Sequence, residues 1–254
     1  MTTNFINSFS FKCLLGPQSH NIEIIGPIAK WKVGKNKIKT HIANLGVFDS
    51  NDVSFIKGLG PVSFHYMMPE NIDILKKAGL DIGKVKLNST LIELDKLNYV
   101  GREYHGIRGA INKNAKLGLS VQSTFNNLSD VEEMIEEWSN NYTDNYFRDF
   151  SGKNYFFYKS GFHLGCQNTF IYDNDKLIAF ACLSPGENSS YIIGKALFKS
   201  YPGLSEFADN EAYKKAAINE TKIVNLGQSK GNIAIYKNKF PGSYSILHYD
   251  GAII

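Results

Sequence analysis

The chain has 254 residues, enough for one large domain or two small ones with a real core. Its 43% hydrophobic and 13% aromatic content suits a globular protein, and a net charge of +4, from 28 basic and 24 acidic residues, excludes a strongly basic nucleic-acid binder. No apolar run approaches the ~18 residues of a spanning helix, nothing at the N-terminus resembles a signal peptide, and three scattered cysteines (Cys13, Cys166, Cys182) with no C-x-x-C read as reduced thiols of a cytoplasmic protein.

Residues 1–20 read as an irregular lead-in. Asn21 to Ile25 is a short strand candidate ended by Gly26-Pro27. Lys30 to Lys39, interleaved with Trp31, is the most basic run in the chain. It reads either as a solvated hairpin tip around Gly34-Lys35-Asn36 or as a contact for phosphates or an RNA backbone. Ile42 to Phe48 is a further strand, and Ser50 or Asn51 caps a short helix through Lys57. Val62 to Met67 alternates as a strand, Pro69-Glu70 opens a helix through Lys77 that Gly79 stops, and Lys84 to Leu94 is a longer strand. The order strand, helix, strand, helix, strand is an α/β pattern.

Tyr99 to Val121 holds a helix with one apolar face, Ile107, Ala110, Ile111 and Ala115, and with Arg102, Arg108, Lys113 and Lys116 elsewhere on its surface. Gly118 ends it, and Leu119 to Gln122 starts a strand. Ser129, with Glu132 three residues on, has the spacing of a capping box for a helix lined by Val131, Met134, Ile135 and Trp138. The aromatic-rich segment Tyr142 to Tyr158 either lines a pocket or fills core contacts. Phe170–Tyr172 and Leu177–Leu183 flank the turn Asp173-Asn174-Asp175 as a β-hairpin, and the two aspartates read as turn chemistry rather than a metal site. Ser189 to Leu197 is a strand, and Glu206 to Asn219 an amphipathic helix.

The last stretch read, Lys222 to Gly242, carries the chemistry. Ile223 to Leu226 is a buried strand stopped by Gly227. Gln228 to Gly231 is polar, Asn232 caps a short helix from Ile233 to Lys239, and Pro241-Gly242 ends it. The helix start offers N–H groups to an anion, and Tyr236 can give or take a proton.

Asn232-Ile-Ala-Ile-Tyr236-Lys-Asn-Lys239-Phe240 resembles the motif N-x-x-A-x-x-Y-x-K-x-G-F that closes GNAT-type acyltransferase domains, with Pro241-Gly242 in place of the usual Gly-Phe. The wider stretch from Pro202 through Asn225-Leu226-Gly227 to Phe240 is more similar to a branch of tandem-GNAT aminoacyl transferases. These are the Fem peptidyltransferases and the catalytic domain of phosphatidylglycerol lysyltransferase. The basic helix at 101–117 resembles the Fem-type segment that joins the first GNAT-like unit to the second.

The resemblance implies two tandem GNAT-like α/β units, 1–120 (degenerate) and 121–254, each a mixed, mostly antiparallel sheet with flanking helices. It implies that the strands Tyr191–Leu197 and Ile223–Leu226 splay apart around the donor. Tyr236 then protonates the leaving group, and Asn225, Gly227, Gln228, Asn232, Lys237 and Lys239 border or contact the donor. Arg108 and Lys113 contact phosphate or RNA. No metal or permanently bound cofactor is implied. The segment Lys199 to Glu206 has one glycine and a proline where coenzyme A-binding relatives carry a pyrophosphate loop R/Q-x-x-G-x-G/A, which favours aminoacyl-tRNA over acetyl-CoA or another acyl-CoA as donor. The membrane-embedded half found beside the lysyltransferase domain in that branch is not expected here. The acceptor is open. A CoA-dependent acyltransferase, a nucleic-acid-modifying relative and a non-catalytic binding module are the alternatives.

Overall fold

A computed structural model of the chain describes residues 22–33, 39–140, 167–184, 189–197, 201–229 and 231–254. The lead-in, the tip of the basic hairpin, the aromatic-rich segment, Lys199-Ser200, Cys13 and Cys166 lie outside those residues. Among them, no helix is long and apolar enough to cross a membrane.

The chain opens with β1 (Glu23–Ile25), β2 (Ile28–Val33), β3 (Lys39–Asn44), α1 (Ser50–Gly58), β4 (Val62–Met67), α2 (Pro69–Lys77) and β5 (Ile82–Glu93). It continues through α3 (His105–Ala115), β6 (Ser120–Gln122), α4 (Leu128–Asn140), β7 (Gln167–Asp173), β8 (Lys176–Ser184) and β9 (Ser189–Leu197). It closes with α5 (Leu204–Ile218), β10 (Ile223–Gln228), α6 (Asn232–Asn238) and β11 (Ser243–Ile253). The strands form one continuous sheet in the order β1-β2-β3-β4-β11-β5-β10-β9-β8-β7-β6. Two separate sheets were expected. What joins them is β11, which lies between β4 and β5 and pairs with β5 over its whole length, Ser243 opposite Ile92 to Ile253 opposite Ile82. All ladders are antiparallel except β3–β4 and β9–β10, one in each half of the sheet.

Strand β11 has no counterpart in the sequence reading. A strand at the centre of a sheet is half-buried along both faces, so Ile246-Leu247 and Ala252-Ile253 stand side by side with no alternation to announce it. Two helix caps also differ from expectation. Asp49, not Ser50 or Asn51, caps α1: its Oδ1 accepts the N–H groups of Asn51 (2.7 Å) and Asp52 (2.9 Å), while Asp52 Oδ2 accepts the Asp49 N–H in return. Helix α4 starts one residue before Ser129, whose N–H goes to Asn127 Oδ1.

Two cores lie against the sheet. One gathers Ile28, Ile42, Phe64, Ile72, Leu75 and Ile253 under α1 and α2. The other packs Ile92, Ile178, Phe207, Val224 and Phe240 with α3, α5 and α6. Helix α4 adds Val131 and Met134 to Phe170, Tyr172 and Phe180. Phe64 is fully buried in the middle of β4. Phe64→Ala is therefore expected to cost about 3–5 kcal/mol, through lost burial and the cavity left behind. A denaturant midpoint within error of wild type would show that this core is not closed.

The basic hairpin is partly satisfied within itself. Lys30 pairs with Glu23 across β1–β2 (2.5 Å) and covers the Phe55 ring. The hairpin of β7 and β8 turns through Asn174 at φ 52°, where Asp173 Oδ1 accepts from Asn174 Nδ2 (3.1 Å); Asp173 Oδ2 also reaches out of the turn to accept the Tyr201 hydroxyl (2.5 Å).

Candidate active site

Strands β9 and β10 hold a parallel ladder over three residue pairs only, Ile223/Ser189, Val224/Ser190 and Asn225/Tyr191. Both strands run on past it, so they part after Asn225, where the sequence reading places a splay. On its other edge β10 makes a bulge: Asn225 pairs with Leu91 but Gln228 with Ser89, leaving one extra residue in β10. Gly227 carries the bulge at φ 72°, a region that favours glycine. The N–H freed by the irregularity is taken up locally, by Asn225 Oδ1 at 2.8 Å. Asn225 and Gly227 thus shape the point of divergence, and Gln228 continues the strand beyond it.

Helix α6 follows directly. Gly231 is its N-cap, at φ 54°, and Asn232 is the first helical residue rather than the cap. A glycine reaches that backbone conformation without strain, whereas Asn232 supplies no capping bond. One turn on, Tyr236 Oη donates to Asp209 Oδ2 at 2.6 Å and lies 2.6 Å from Ser205 Oγ. Its ring sits edge-on to Phe240 (centroids 5.9 Å apart), with the Lys239 ammonium 3.9 Å above its face.

Ser205, Asp209 and Tyr213 share one face of α5 at i, i+4, i+8. Asp209 is 3% exposed and Tyr213 fully buried. Burial and the Asp209 carboxylate push the Tyr236 hydroxyl well above its ordinary range. Burial, Asp209 and Tyr99 do the same to Tyr213, while burial, Asp209 and Glu211 raise Tyr99. Tyr236 thus bonds the buried carboxylate directly, and Tyr99 and Tyr213 feel its charge, which holds the proton on each phenol. Sequence reasoning missed Asp209, Ser205, Tyr213 and Tyr99. The signal was an acid at the centre of the apolar face of α5, which an amphipathic reading assigns to solvent.

Lys237 of α6 and Lys239, its C-cap, are both engaged within the protein. Lys237 Nζ donates to the carbonyls of Leu226 and Gly227, bracing the bulge. Burial lowers its pKa to about 8, against an opposing pull from Asp209. Lys239 forms an ion pair with Glu206 of α5. The folded chain releases the Lys237 proton near pH 8, whereas an unfolded chain keeps it to about 10.5. Between those values the unfolded state binds more protons, so folding stability rises with pH there, and the burial penalty is in full force below 8. Wild type is expected to gain stability relative to Lys237→Met across that window, as read by denaturant titrations at its two ends. A difference that does not change with pH would mean that the ammonium is solvated.

Arg108 and Lys113 part company. Lys113 lies exposed on α3. Arg108 donates through Nη1 to the carbonyls of Tyr99 and Gly101 (3.2 Å to the latter) and helps line a cleft of about 990 Å³ with Asn98, Tyr99, Val100, Arg102 and His105. Tyr99 connects the cleft to the site, since its buried hydroxyl feels the charge of Asp209. The turn before α5 is closed against α3. Pro202 O accepts from Asn114 Nδ2 (3.1 Å), and a Cβ on Gly203, at φ 80°, would stand 2.7 Å from Ala110 Cβ.

A mixed sheet whose parallel neighbours β9 and β10 part after three residue pairs is the architecture expected of a GNAT-like fold. The comparisons agree. A GCN5-related N-acetyltransferase from Kribbella flavida shares the fold at TM-score 0.50 and 13% identity, over 96% of this chain and 93% of that one. FemX aligns at TM-score 0.62 and 11% identity, over 94% and 90%. L-PGS from Bacillus licheniformis aligns at 0.67 and 13%, over 97% and 87%. No curated protein matches the chain. Residues 59–230 match the family described as phosphatidylglycerol lysyltransferase, C-terminal, and the chain belongs to that family. It is an acyltransferase of the GNAT-like, Fem-like kind.

Proposed function

We propose that the chain transfers an aminoacyl group from aminoacyl-tRNA to an amine or hydroxyl acceptor, with Tyr236 as the general acid. The observation that carries this reading is the Tyr236 hydroxyl, held by Asp209 and Ser205, on the helix whose Lys237 is bonded to the bulge of β10. An aminoacyl ester leaves as a ribose alkoxide. A phenol pushed above its usual range is better matched to that alkoxide than an ordinary tyrosine, so the proton passes late and to the right atom. The donor lies along Asn225, Gly227, Gln228 and Asn232. Lys237 and Lys239 act from within, Lys237 by fixing the bulge and Lys239 by holding the tyrosine ring, rather than on a phosphate. The donor's RNA backbone runs past Arg108 and Lys113.

The closed turn at Pro202-Gly203 supports tRNA over coenzyme A, because its proline has no N–H and its carbonyl is already bonded to Asn114. Family membership and the likeness to L-PGS and FemX support the same donor. The two cores and the two parallel ladders, one in each half of the sheet, support two units whose chain segments interleave: Ile92 and α3, before residue 120, pack in the second core, and Ile253 of β11 packs in the first. We place the chain in the cytoplasm, where charged tRNA is found.

The test presents the protein with a charged tRNA pool and, separately, acetyl-CoA, each in the presence of a lipid and small-molecule extract that supplies amine and hydroxyl acceptors. The expected result is consumption of one or a few aminoacyl-tRNAs and none of acetyl-CoA; the reverse would overturn the reading. Arg108→Glu with Lys113→Glu is expected to weaken tRNA binding at least tenfold in a filter-binding titration at low salt. Unchanged affinity would move the RNA track elsewhere.

A further inference from the structure

The half of the sheet formed by β1–β4 and β11 holds a second chain of ionisable groups that the transfer reaction does not use. It lies on the sheet face away from α1 and α2, since His41 and His65 alternate with Ile42 and Phe64 of the core beneath those helices. One strand, β5, stands between its Asp250 on β11 and β10. Asp250 Oδ2 lies 3.1 Å from His65 Nδ1, and His65 Nε2 lies 3.0 Å from His41 Nδ1. Trp31, 4% exposed, packs on both imidazoles with centroids 5.5 and 5.6 Å away. His65 and Asp250 keep about a third of their side-chain surface in solvent (33% and 28%).

The backbone is shaped around this chain. Tyr249 pairs with Met67 and Gly251 with Phe64, so two residues of β4, His65 and Tyr66, face the single Asp250. Tyr66 takes φ 54°, a disfavoured conformation for a bulky residue, and its freed N–H goes to Asp250 Oδ1 at 2.9 Å. One carboxylate thus holds both the bulge and the imidazole. Burial would raise Asp250, yet the bonds from His65 and Tyr66 hold it below the usual carboxylate range. Burial, His65 and Lys39 push the His41 imidazole below its ordinary range, which favours its neutral form. His248, the other ionisable group at this end of β11, has Nδ1 3.9 Å from Asp250 Oδ1 and turns its Nε2 to Ser89 Oγ.

The two rings lie in nearly one plane, 14° apart, and their centroids are 5.3 Å apart, which is the N···N distance plus one ring radius at each end. Both facing nitrogens therefore sit on the line between ring centres. That is the geometry of a direct N–H···N bond. Two imidazoles sharing a zinc ion would instead converge at an angle on a point about 2.0 Å from each nitrogen.

We propose that Asp250, His65 and His41 form a second, proton-transferring site whose basic atom is His41 Nε2, and that it takes the proton of a bound amine or hydroxyl. An ionised carboxylate only accepts, so His65 carries its proton on Nδ1 and accepts at Nε2. His41 then carries its proton on Nδ1, and Nε2 is left with a lone pair. When a ligand N–H or O–H gives its proton to His41 Nε2, the Nδ1 proton of His41 moves to His65 Nε2. The imidazolium so formed lies against Asp250, and the reverse path returns the proton. His41 is the base; His65 and Asp250 are positioning residues. This site does not depend on the reading of Tyr236.

Long-range ¹H–¹⁵N NMR of the full chain tests it without any substitution, by reporting which ring nitrogen carries hydrogen. The expected result above pH 7 is an Nδ1–H on both His41 and His65. In Asp250→Asn the carboxamide can donate to His65, so both tautomers reverse. Carbethoxylation by diethyl pyrocarbonate is expected to modify His41 at least as fast as the exposed His105, and about tenfold more slowly in Asp250→Asn, the scale on which such supporting partners act. An Nε2–H on either ring in wild type would overturn the proposal. So would a His41 rate that the Asn substitution leaves unchanged, or stoichiometric binding of zinc chloride that shifts both rings.

Discussion

Tyr236→Phe is expected to lower the rate of aminoacyl transfer by about 10²–10⁴-fold, the range a positioned general acid contributes, with the fold retained. The substitution removes one oxygen and leaves the ring against Phe240 and under the Lys239 ammonium. Asp209 loses its 2.6 Å donor in a site where it is 3% exposed, which costs on the order of 1–3 kcal/mol of stability. Single-turnover transfer from charged tRNA, run beside a thermal melt, separates the two effects. A variant that melts near wild type but has lost the chemical step places the proton on Tyr236. A variant that keeps the rate makes the tyrosine a packing residue and returns Lys237, with its pKa near 8, as the strongest alternative acid. The pH profile distinguishes them further. Tyr236 stays protonated through the alkaline range, so an acid limb near pH 8 in wild type that vanishes in Lys237→Met belongs to the lysine.

What could be read from the sequence was what the chain keeps local. Val62–Met67, Pro69–Lys77 and Ser189–Leu197 have the same ends in the structure as in the sequence reading, because alternation, an N1 proline and flanking turn residues state them outright. Asn225, Gly227 and Tyr236 sit within a dozen residues of one another and belong to one motif. Asp209 and Ser205 come from a different helix, and nothing near them in sequence marks an acid there as buried. Tyr99 is farther off still and joins only because α3 and α5 pack together, Gly203 on Ala110. The imidazole relay was the least legible part. Its bonds span 24 and 185 residues, and the second needs β11, a strand that carries no alternation.

Both candidate sites nonetheless use one local device. In β10 and in β4 an extra residue breaks the ladder, and a side-chain oxygen, from Asn225 or Asp250, accepts an N–H that the break leaves over. The bulge aims side chains that a regular strand would send elsewhere. Both bulges use a positive φ, at Gly227 and at Tyr66, but only the first carries the sequence marks of one, a glycine two residues after an Asn, whereas His65-Tyr66 has neither.

Gly251→Ala is expected to be among the most damaging single-methyl additions in the molecule, costing about 3 kcal/mol through overpacking. Its Cβ would stand 2.0 Å from Gly83 O, 2.8 Å from Phe64 Cζ and 2.9 Å from Lys84 Cα. The closest of these is backbone, in the central pairing of β11 with β5, so no rotamer change can relieve it. The contrast is Gly106 and Gly109 of α3, where an added Cβ meets nothing within 4 Å. Yielding at Gly251 means moving β11 away from β5, and β11 is the strand that holds Asp250 to His65 and joins the halves of the sheet. Urea titrations followed by far-UV circular dichroism should show a lowered midpoint, and the His65 tautomer signal should weaken with it. A midpoint equal to that of wild type would mean that β11 does not sit between β4 and β5 in solution, and the relay built on that pairing would fall with it.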